Sequence, residues 1–130
     1  MIVDSSAILA IAFAEPEASR FATAIARAPE RQISSVNWLE TMMVLESRSG
    51  TLAADDLLLI LGQLGIQLLP LDAVHMHEAH EAWRRYGKGR HPASLNLGDC
   101  CAYAAAKVEG RPLLFKGEDF TRTDVEKASW

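Results

Sequence analysis

Short apolar runs alternate along the chain with longer segments in which apolar residues recur every three or four positions. The apolar runs predict strands, and the longer segments predict amphipathic helices. The predicted strands cover residues 2–3, 32–35, 66–71 and 113–115. The predicted helices cover residues 7–14, 17–28, 36–49, 53–64, 73–86 and 98–109. Because strands that alternate with helices require right-handed crossovers, we expect an α/β fold with helices on both faces of a mostly parallel sheet.

Local signals set the boundaries of these elements. Ser5 or Ser6 is a candidate cap for the first helix, and Asp72 for the helix that begins at residue 73. Residues 87–96, with two glycines and a proline, predict a loop. Residues 123–125 are a candidate for a short edge strand near the end of the chain.

Four acidic residues lie where predicted strands end or helices begin: Asp4, Glu40, Asp99 and Asp119. Ligands of open α/β sheets bind beyond the carboxyl ends of the strands, so we expect the four side chains to converge there. Hard divalent cations take oxygen ligands, and a bound cation lowers the pKa of water and neutralises charge on a phosphate. The pattern therefore favours metal-dependent phosphoryl transfer. Helix capping is an alternative explanation for Asp4 and Asp99, but it does not account for Glu40.

Composition narrows the classes of protein that remain. The 130 residues are the usual size of one domain, so we expect residues 1–130 to form one. A net charge of −4 argues against non-specific coating of nucleic acid, although bound cations would offset such charge in a nuclease. No apolar run approaches the roughly 20 residues that span a membrane. Asp4 comes too early for a secretory signal, and adjacent Cys100 and Cys101 fit a reducing compartment, so we expect a cytoplasmic protein.

Each of the four acids lies in a distinct block of sequence. The blocks are Ile2-Val3-Asp4-Ser5-Ser6-Ala7, residues 34–40, residues 95–106, and residues 113–120 followed by Thr123-Asp124-Val125. In this order they resemble the blocks of PIN-domain ribonucleases of the kind that form the toxin half of VapBC-type toxin–antitoxin pairs. The resemblance runs almost end to end and shows no departure at the acidic positions.

That resemblance implies a PIN-like three-layer α/β/α fold and a magnesium site, with manganese as a possible substitute. It implies hydrolysis of single-stranded or looped RNA that leaves a 3′-hydroxyl and a 5′-phosphate. Asp4 and Asp99 would be direct ligands, and Asp119 would bind directly or through water. Glu40 would orient water, with partial general-base character. The implied partners are a VapB-type antitoxin and a second copy of the chain.

Other residues are candidates for supporting roles. Ser6 and Asn37 are candidate hydrogen-bond donors to the carboxylates, and Asp124 either supports a second ion or lies on the surface. Cationic candidates for contact with RNA phosphates are Arg84, Arg85, Lys88, Arg90 and Lys116. A solvated helix end is the alternative explanation for the first four.

Two apolar features leave alternatives open. Trp38 and Trp83 lie in predicted helices, where a core or interface position is more common than base stacking. Leu57–Leu61 and Leu64 make their helix richer in apolar residues than one core face needs, which indicates either a partner surface or burial on two sides.

Two other classes of function compete with the nuclease. A PIN-like module that has lost catalysis and binds only protein or RNA is one, and the four acidic positions, all filled, argue against it. A phosphotransfer domain with an aspartate nucleophile is the other, but the Asp-x-Asp start of such enzymes would need an acid where Ser6 stands.

Overall fold

The computed structural model describes residues 1–50 and 53–130 of the chain. Four strands and six α-helices alternate through this part, followed by a 3₁₀ turn at Asp119–Arg122. The strands are β1 (Ile2–Val3), β2 (Gln32–Ser34), β3 (Gln67–Leu69) and β4 (Leu113–Leu114). The helices are α1 (Ser5–Ala12), α2 (Ala18–Arg27), α3 (Ser35–Ser49), α4 (Ala53–Gln63), α5 (Ala73–Tyr86) and α6 (Leu97–Glu109).

The four strands form one parallel sheet in the order β3-β2-β1-β4. Ile2 in the central strand pairs with Gln32 on one side and with Leu113 on the other. Successive side chains point to opposite faces, as the pleat of a strand requires. Ile2 and Leu113 therefore enter one hydrophobic core, and Val3 and Leu114 enter a second core on the other face.

Each core is closed by its own layer of helices. Helices α5 and α6 cover the face of Ile2, whereas α1, α2 and α4 contribute buried residues to the core that contains Val3. The prediction of a three-layer α/β/α arrangement around a parallel sheet is confirmed.

Helix α6 packs against the sheet and against α5, and its sequence explains how it can approach both. From Cys100 to Ala106 every residue is buried, and all of them except Tyr103 have small side chains. Small side chains let the helix axis approach both the sheet and α5. The helix ends at Gly110, whose φ of 61° is the left-handed conformation that glycine adopts without strain.

The predicted edge strand at residues 123–125 is wrong. The chain there follows the 3₁₀ turn, which the Thr121 hydroxyl supports by donating to the Glu118 carbonyl. Phe120 anchors this turn because its ring is buried against that of Phe115, 4.9 Å away between centroids. The chain meets the sheet only afterwards, through a single parallel bridge between Leu113 and Lys127.

The leucine-rich helix α4 divides its side chains between core and solvent. Leu57 and Leu61 are buried in the core, whereas Leu58 is 50% exposed and Leu59 is 63% exposed. Burial on both sides of the helix is therefore excluded. Within residues 1–50 and 53–130, no helix combines the length and the apolar character that crossing a bilayer requires.

Candidate active site

Asp4 lies at the carboxyl end of the central strand. Its backbone N–H donates to the Leu114 carbonyl at 2.9 Å, so the residue stands where β1 and β4 end together. The side chain is 4% exposed and caps α1 by accepting from the Ser6 N–H at 2.9 Å. The Ser6 hydroxyl donates to the same carboxylate oxygen at 2.6 Å. Asp4 is thus both the helix cap and a fixed carboxylate of the site, and neither Ser5 nor Ser6 is the cap.

Asn37 connects three segments of the chain beneath the site. The side chain is fully buried, and its Nδ2 lies 3.2 Å from Asp4 Oδ1, 3.1 Å from Ser5 Oγ and 3.1 Å from the Gly98 carbonyl. Its Oδ1 accepts from the hydroxyl of Ser34, the cap of α3. A single amide therefore aligns the end of β1, the first turn of α3 and the start of α6.

Glu40 lies one turn further along α3, on the same side as Asn37. Its Oε2 accepts from the Ser5 hydroxyl at 2.6 Å. The carboxylate also rests against the backbone of Gly98, where an added Cβ would come within 2.5 Å of Oε2. The absence of a side chain at residue 98 therefore makes room for Glu40.

Asp99 occupies the first turn of α6 in a capping box. Its Oδ2 accepts from the Asn96 N–H at 2.9 Å, and the Asn96 side chain accepts from the Asp99 N–H at 2.9 Å. Burial, foremost, raises the pKa of Asp99 to about 7, and the negative charges of Asp4, Asp119 and Glu40 add to the rise. Burial also raises the pKa of Asp4, against the opposing hydrogen bonds from Ser6. Both pKa values thus rise mainly because the carboxyls are buried, and the negative charges of neighbouring acids add to the rise.

Asp119 reaches the site from the opposite end of the chain. It is exposed and begins the 3₁₀ turn that Phe120 anchors. The loop before it is tied to α1, because the Lys116 N–H donates to the Ser6 hydroxyl at 3.0 Å. In the part of the chain that the structure describes, no three carboxylate, imidazole or thiol groups already stand close enough to enclose a metal ion.

Asp124 has partners other than the four acids. It accepts from the Tyr103 hydroxyl at 2.5 Å and lies 3.3 Å from Arg85 and 3.4 Å from Lys107. The Tyr103 hydrogen bond is the main reason why the pKa of Asp124 falls to about 2. Of the two roles considered for Asp124, the structure favours a surface one, in which it joins α5, α6 and the C-terminal segment.

The cationic candidates for RNA contact differ in what they already bind. Arg84 pairs with Glu81 at 2.7 Å, and Arg85 pairs with Asp124. Lys116 is held by the carboxylates of both Glu15 and Glu17. Arg90 instead lies over the Trp83 ring, and Lys88 lines a pocket beside it.

Sequence reasoning missed three residues of the site: Ser5, Asn96 and Gly98. Gly98 carried a usable signal, because glycine inside a helix costs stability and often marks a close approach of another group. Ser5 and Asn96 carried none beyond their helix-capping character, since their partners lie far away or on the adjacent turn.

The fold and the candidate site define an α/β/α protein with a parallel sheet and a group of acidic side chains at the carboxyl end of its strands. The PIN domain family model matches residues 1–126. The chain therefore belongs to the PIN-domain family and, within it, to the VapC ribonucleases, as its sequence blocks predicted.

Individual relatives agree with this placement. The chain is 49% identical over 125 residues to ribonuclease VapC of Mycolicibacterium smegmatis. The aligned region covers 96% of this chain and 97% of the relative. Its fold is similar to that of Mycobacterium tuberculosis VapC20, described as a toxin that cleaves the sarcin–ricin loop, with a TM-score of 0.76, 18% identity and 95% of both chains covered. A toxin–antitoxin complex from Klebsiella pneumoniae has a TM-score of 0.72 at 16% identity, with 95% of this chain and 92% of that chain covered.

Proposed function

We propose that the chain is a metal-dependent endoribonuclease toxin whose Asp4, Glu40, Asp99 and Asp119 hold magnesium, or manganese in its place. The similarity to VapC ribonucleases supports the activity on RNA. One structural observation carries the metal: burial raises the pKa of Asp99 to about 7, and the negative charges of Asp4, Asp119 and Glu40 add to the rise, so the four carboxylates lie near one another. A divalent cation is the group that such uncompensated negative charge would bind.

The chemistry of the side chains fits the ion. All four donors are carboxylates, the hard oxygen ligands that magnesium and manganese accept. Among the described residues, the acids do not already form a closed group of three ligands, so the ion would draw them together. When bound, the ion would supply charge neutralisation at the phosphate and activation of water.

The surrounding hydrogen bonds suggest a role for each acid. Asp4 and Asp99 are the best fixed, by Ser6 and by the Asn96 N–H, and we assign them as direct ligands. Asp119 is exposed and would bind directly or through water. Glu40 is oriented by the Ser5 hydroxyl and would accept a proton from the attacking water as a partial general base. Hydrolysis would leave a 3′-hydroxyl and a 5′-phosphate.

A second protein fits the surface beside the acids. Leu39, Met43 and Leu97 are 57%, 64% and 76% exposed, and they line a groove that Glu40 also borders. Exposed apolar side chains in one groove favour coverage by another chain. We propose a VapB-type antitoxin as the regulatory partner, by analogy with the similar Klebsiella complex, and a homodimer as the state of the toxin. We place this one-domain protein in the cytoplasm.

Cleavage of a labelled RNA panel tests the proposal. The parent, Asp99→Asn and the control Asp55→Asn are compared with magnesium, with manganese and with EDTA, and magnesium binding is measured by calorimetry. Asp55 suits the control because it is an exposed acid at the start of α4. We expect metal-dependent cleavage by the parent and by Asp55→Asn, and none by Asp99→Asn. Equal cleavage by all three proteins would refute the assigned site, whereas RNA binding without cleavage by the parent would indicate the non-catalytic module.

A further inference from the structure

An apolar pocket that the proposed chemistry does not use lies between α5 and the start of α6. Its volume is about 410 Å³, within the range of about 300–1,000 Å³ that is common for small-ligand sites. Met76, His80 and Trp83 form the α5 side, and Leu97 and Cys100 form the α6 side. Trp83 is 39% exposed, so the indole faces both the pocket and solvent.

Aromatic and cationic groups are combined at this pocket. The Arg90 guanidinium lies 3.9 Å from the Trp83 ring centroid, and the His80 ring is stacked near it, with 5.9 Å between centroids and 19° between planes. Lys88 is part of the lining. Among the described residues that line the pocket, none is Asp or Glu. A flat ligand that carries negative charge matches such a surface, because aromatic faces stack on bases and cations bind phosphate.

The local fold positions Trp83 and the backbone of the neighbouring loop before any ligand arrives. Trp83 packs against the backbone of Gly87, where an added Cβ would lie 2.5 Å from the indole Cδ1. The loop that carries Lys88 and Arg90 is closed by a bridge between Gly87 and Leu95. A preorganised pocket loses less conformational entropy when a ligand binds to it, which favours a role in ligand binding.

The pocket adjoins the acidic site. Asn96 lines the pocket, and its backbone N–H donates to Asp99 at 2.9 Å. Leu97 lines both the pocket and the groove that Glu40 borders. A strand of RNA whose phosphodiester lies at the acids would therefore carry a neighbouring nucleotide past the pocket.

We propose that this pocket binds one unpaired nucleobase of the RNA, next to the phosphodiester that is cut. Trp83 and His80 contact the base, and Lys88 and Arg90 contact the flanking phosphates. The inference rests on the proposed ribonuclease function and extends it to substrate positioning. An apolar peptide would need neither cation, and an acidic peptide would leave the aromatic wall without a flat partner, so the combination favours a nucleotide.

Kinetics and binding with one single-stranded RNA test the pocket. Trp83→Leu removes the aromatic face and Trp83→Phe keeps one, while Lys88→Ala removes one of the two cations. Matched controls lie in the opposite helical layer: Leu59→Ala for an exposed apolar side chain and Arg27→Ala for an exposed cation. Dissociation constants are measured by fluorescence anisotropy with every variant in an Asp99→Asn background. Oligomeric state is followed by light scattering.

We expect Trp83→Leu to raise both KM and the dissociation constant roughly 5- to 150-fold, the range that corresponds to stacking of one base. Trp83→Phe should recover most of this loss, and kcat should change by less than about twofold because the carboxylates stay in place. Unchanged KM and binding in Trp83→Leu and Lys88→Ala would overturn the inference. So would a loss of affinity that follows dissociation into monomers, since the pocket would then be a subunit interface. A parent that binds RNA without cutting it would contradict the proposed function alone, because the binding constants still test the pocket.

Discussion

The carboxylate of Glu40 lies directly against the backbone of Gly98, although the two residues are 58 positions apart in the sequence. A Cβ at residue 98 would come within 2.5 Å of Glu40 Oε2 and within 2.9 Å of Cδ. The same carboxylate accepts from the Ser5 hydroxyl at 2.6 Å, so it is confined from two sides. The position of this acid therefore depends on the smallest residue of another helix.

Gly98→Ala should separate activity from stability. The new methyl group must displace the Glu40 carboxylate, and a shift of about 1 Å at a reacting group can cost up to about 100-fold in rate. We expect RNA cleavage to fall roughly 10- to 100-fold. The melting temperature should not fall, because alanine is the better helix former by about 1 kcal/mol. Cleavage kinetics and thermal denaturation measure the two effects.

Gly62→Ala is the matched control for Gly98→Ala. Gly62 also lies in a helix, α4, and an added Cβ there meets nothing within 4 Å. This variant should keep full activity and gain stability. Equal activity of the two variants would show that the contact between Gly98 and Glu40 does not position the acid for cleavage.

Asp99 should make the metal-free protein less stable as the pH rises. The pKa of this carboxyl is about 7 in the folded chain, against 3.8 as its ordinary value. The folded state binds the Asp99 proton more tightly than the unfolded state does. The contribution of Asp99 to the free energy of unfolding is therefore complete below about pH 4 and is lost as the pH rises through about 7. In EDTA at about pH 8, Asp99→Asn should be more stable than the parent by about 1–3 kcal/mol. The difference should vanish near pH 4.

Urea denaturation between about pH 4 and 8 measures this difference in the free energy of unfolding. Asp55→Asn, which changes an exposed acid of α4, should follow the parent at every pH. Magnesium at about pH 8 should stabilise the parent more than Asp99→Asn, since a ligand stabilises the state that binds it. Parallel pH profiles for the parent and Asp99→Asn would contradict the raised pKa of Asp99.

Asp124→Asn should lower stability slightly and leave RNA cleavage unchanged. The carboxylate accepts from Tyr103 and pairs with Arg85 and Lys107, but it is 47% exposed, and solvent screens such pairs to about 0–1 kcal/mol. Because the pKa of Asp124 is lowered to about 2, the contribution of its carboxylate to stability is present above about pH 4 and disappears as the pH falls through about 2.

Glu46→Gln serves as the control for Asp124→Asn, because Glu46 is an exposed acid of α3 outside the acidic site. Chemical denaturation at neutral pH and cleavage assays across magnesium concentrations separate stability from metal use. An increased magnesium requirement in Asp124→Asn alone would instead assign this residue to a second ion.

The sequence predicted most of the architecture because each strand and helix leaves a local signal in its own residues. Strand and helix periods, with glycine and capping residues at their ends, placed the ends of every described strand and α-helix to within two residues. The strand expected at residues 123–125 failed because tertiary packing overrides local β-propensity. Burial of Phe120 turns the chain, so that it meets β4 only at Lys127.

The sequence by itself determined the α/β/α fold and the family, because these depend on periodicity and on short blocks of contiguous residues, and the same blocks singled out the four acids as candidates. Only the tertiary structure decided which distant side chains meet. It placed Asn37 under Asp4 and Gly98, directed Asp124 to Tyr103, and set Trp83 beside Lys88 in a pocket next to Asp99. Such contacts arise only when the sheet and its two helical layers pack together. Hydrogen bonds between distant residues and pockets between helices depend on the relative placement of whole elements, so no local sequence pattern encodes them.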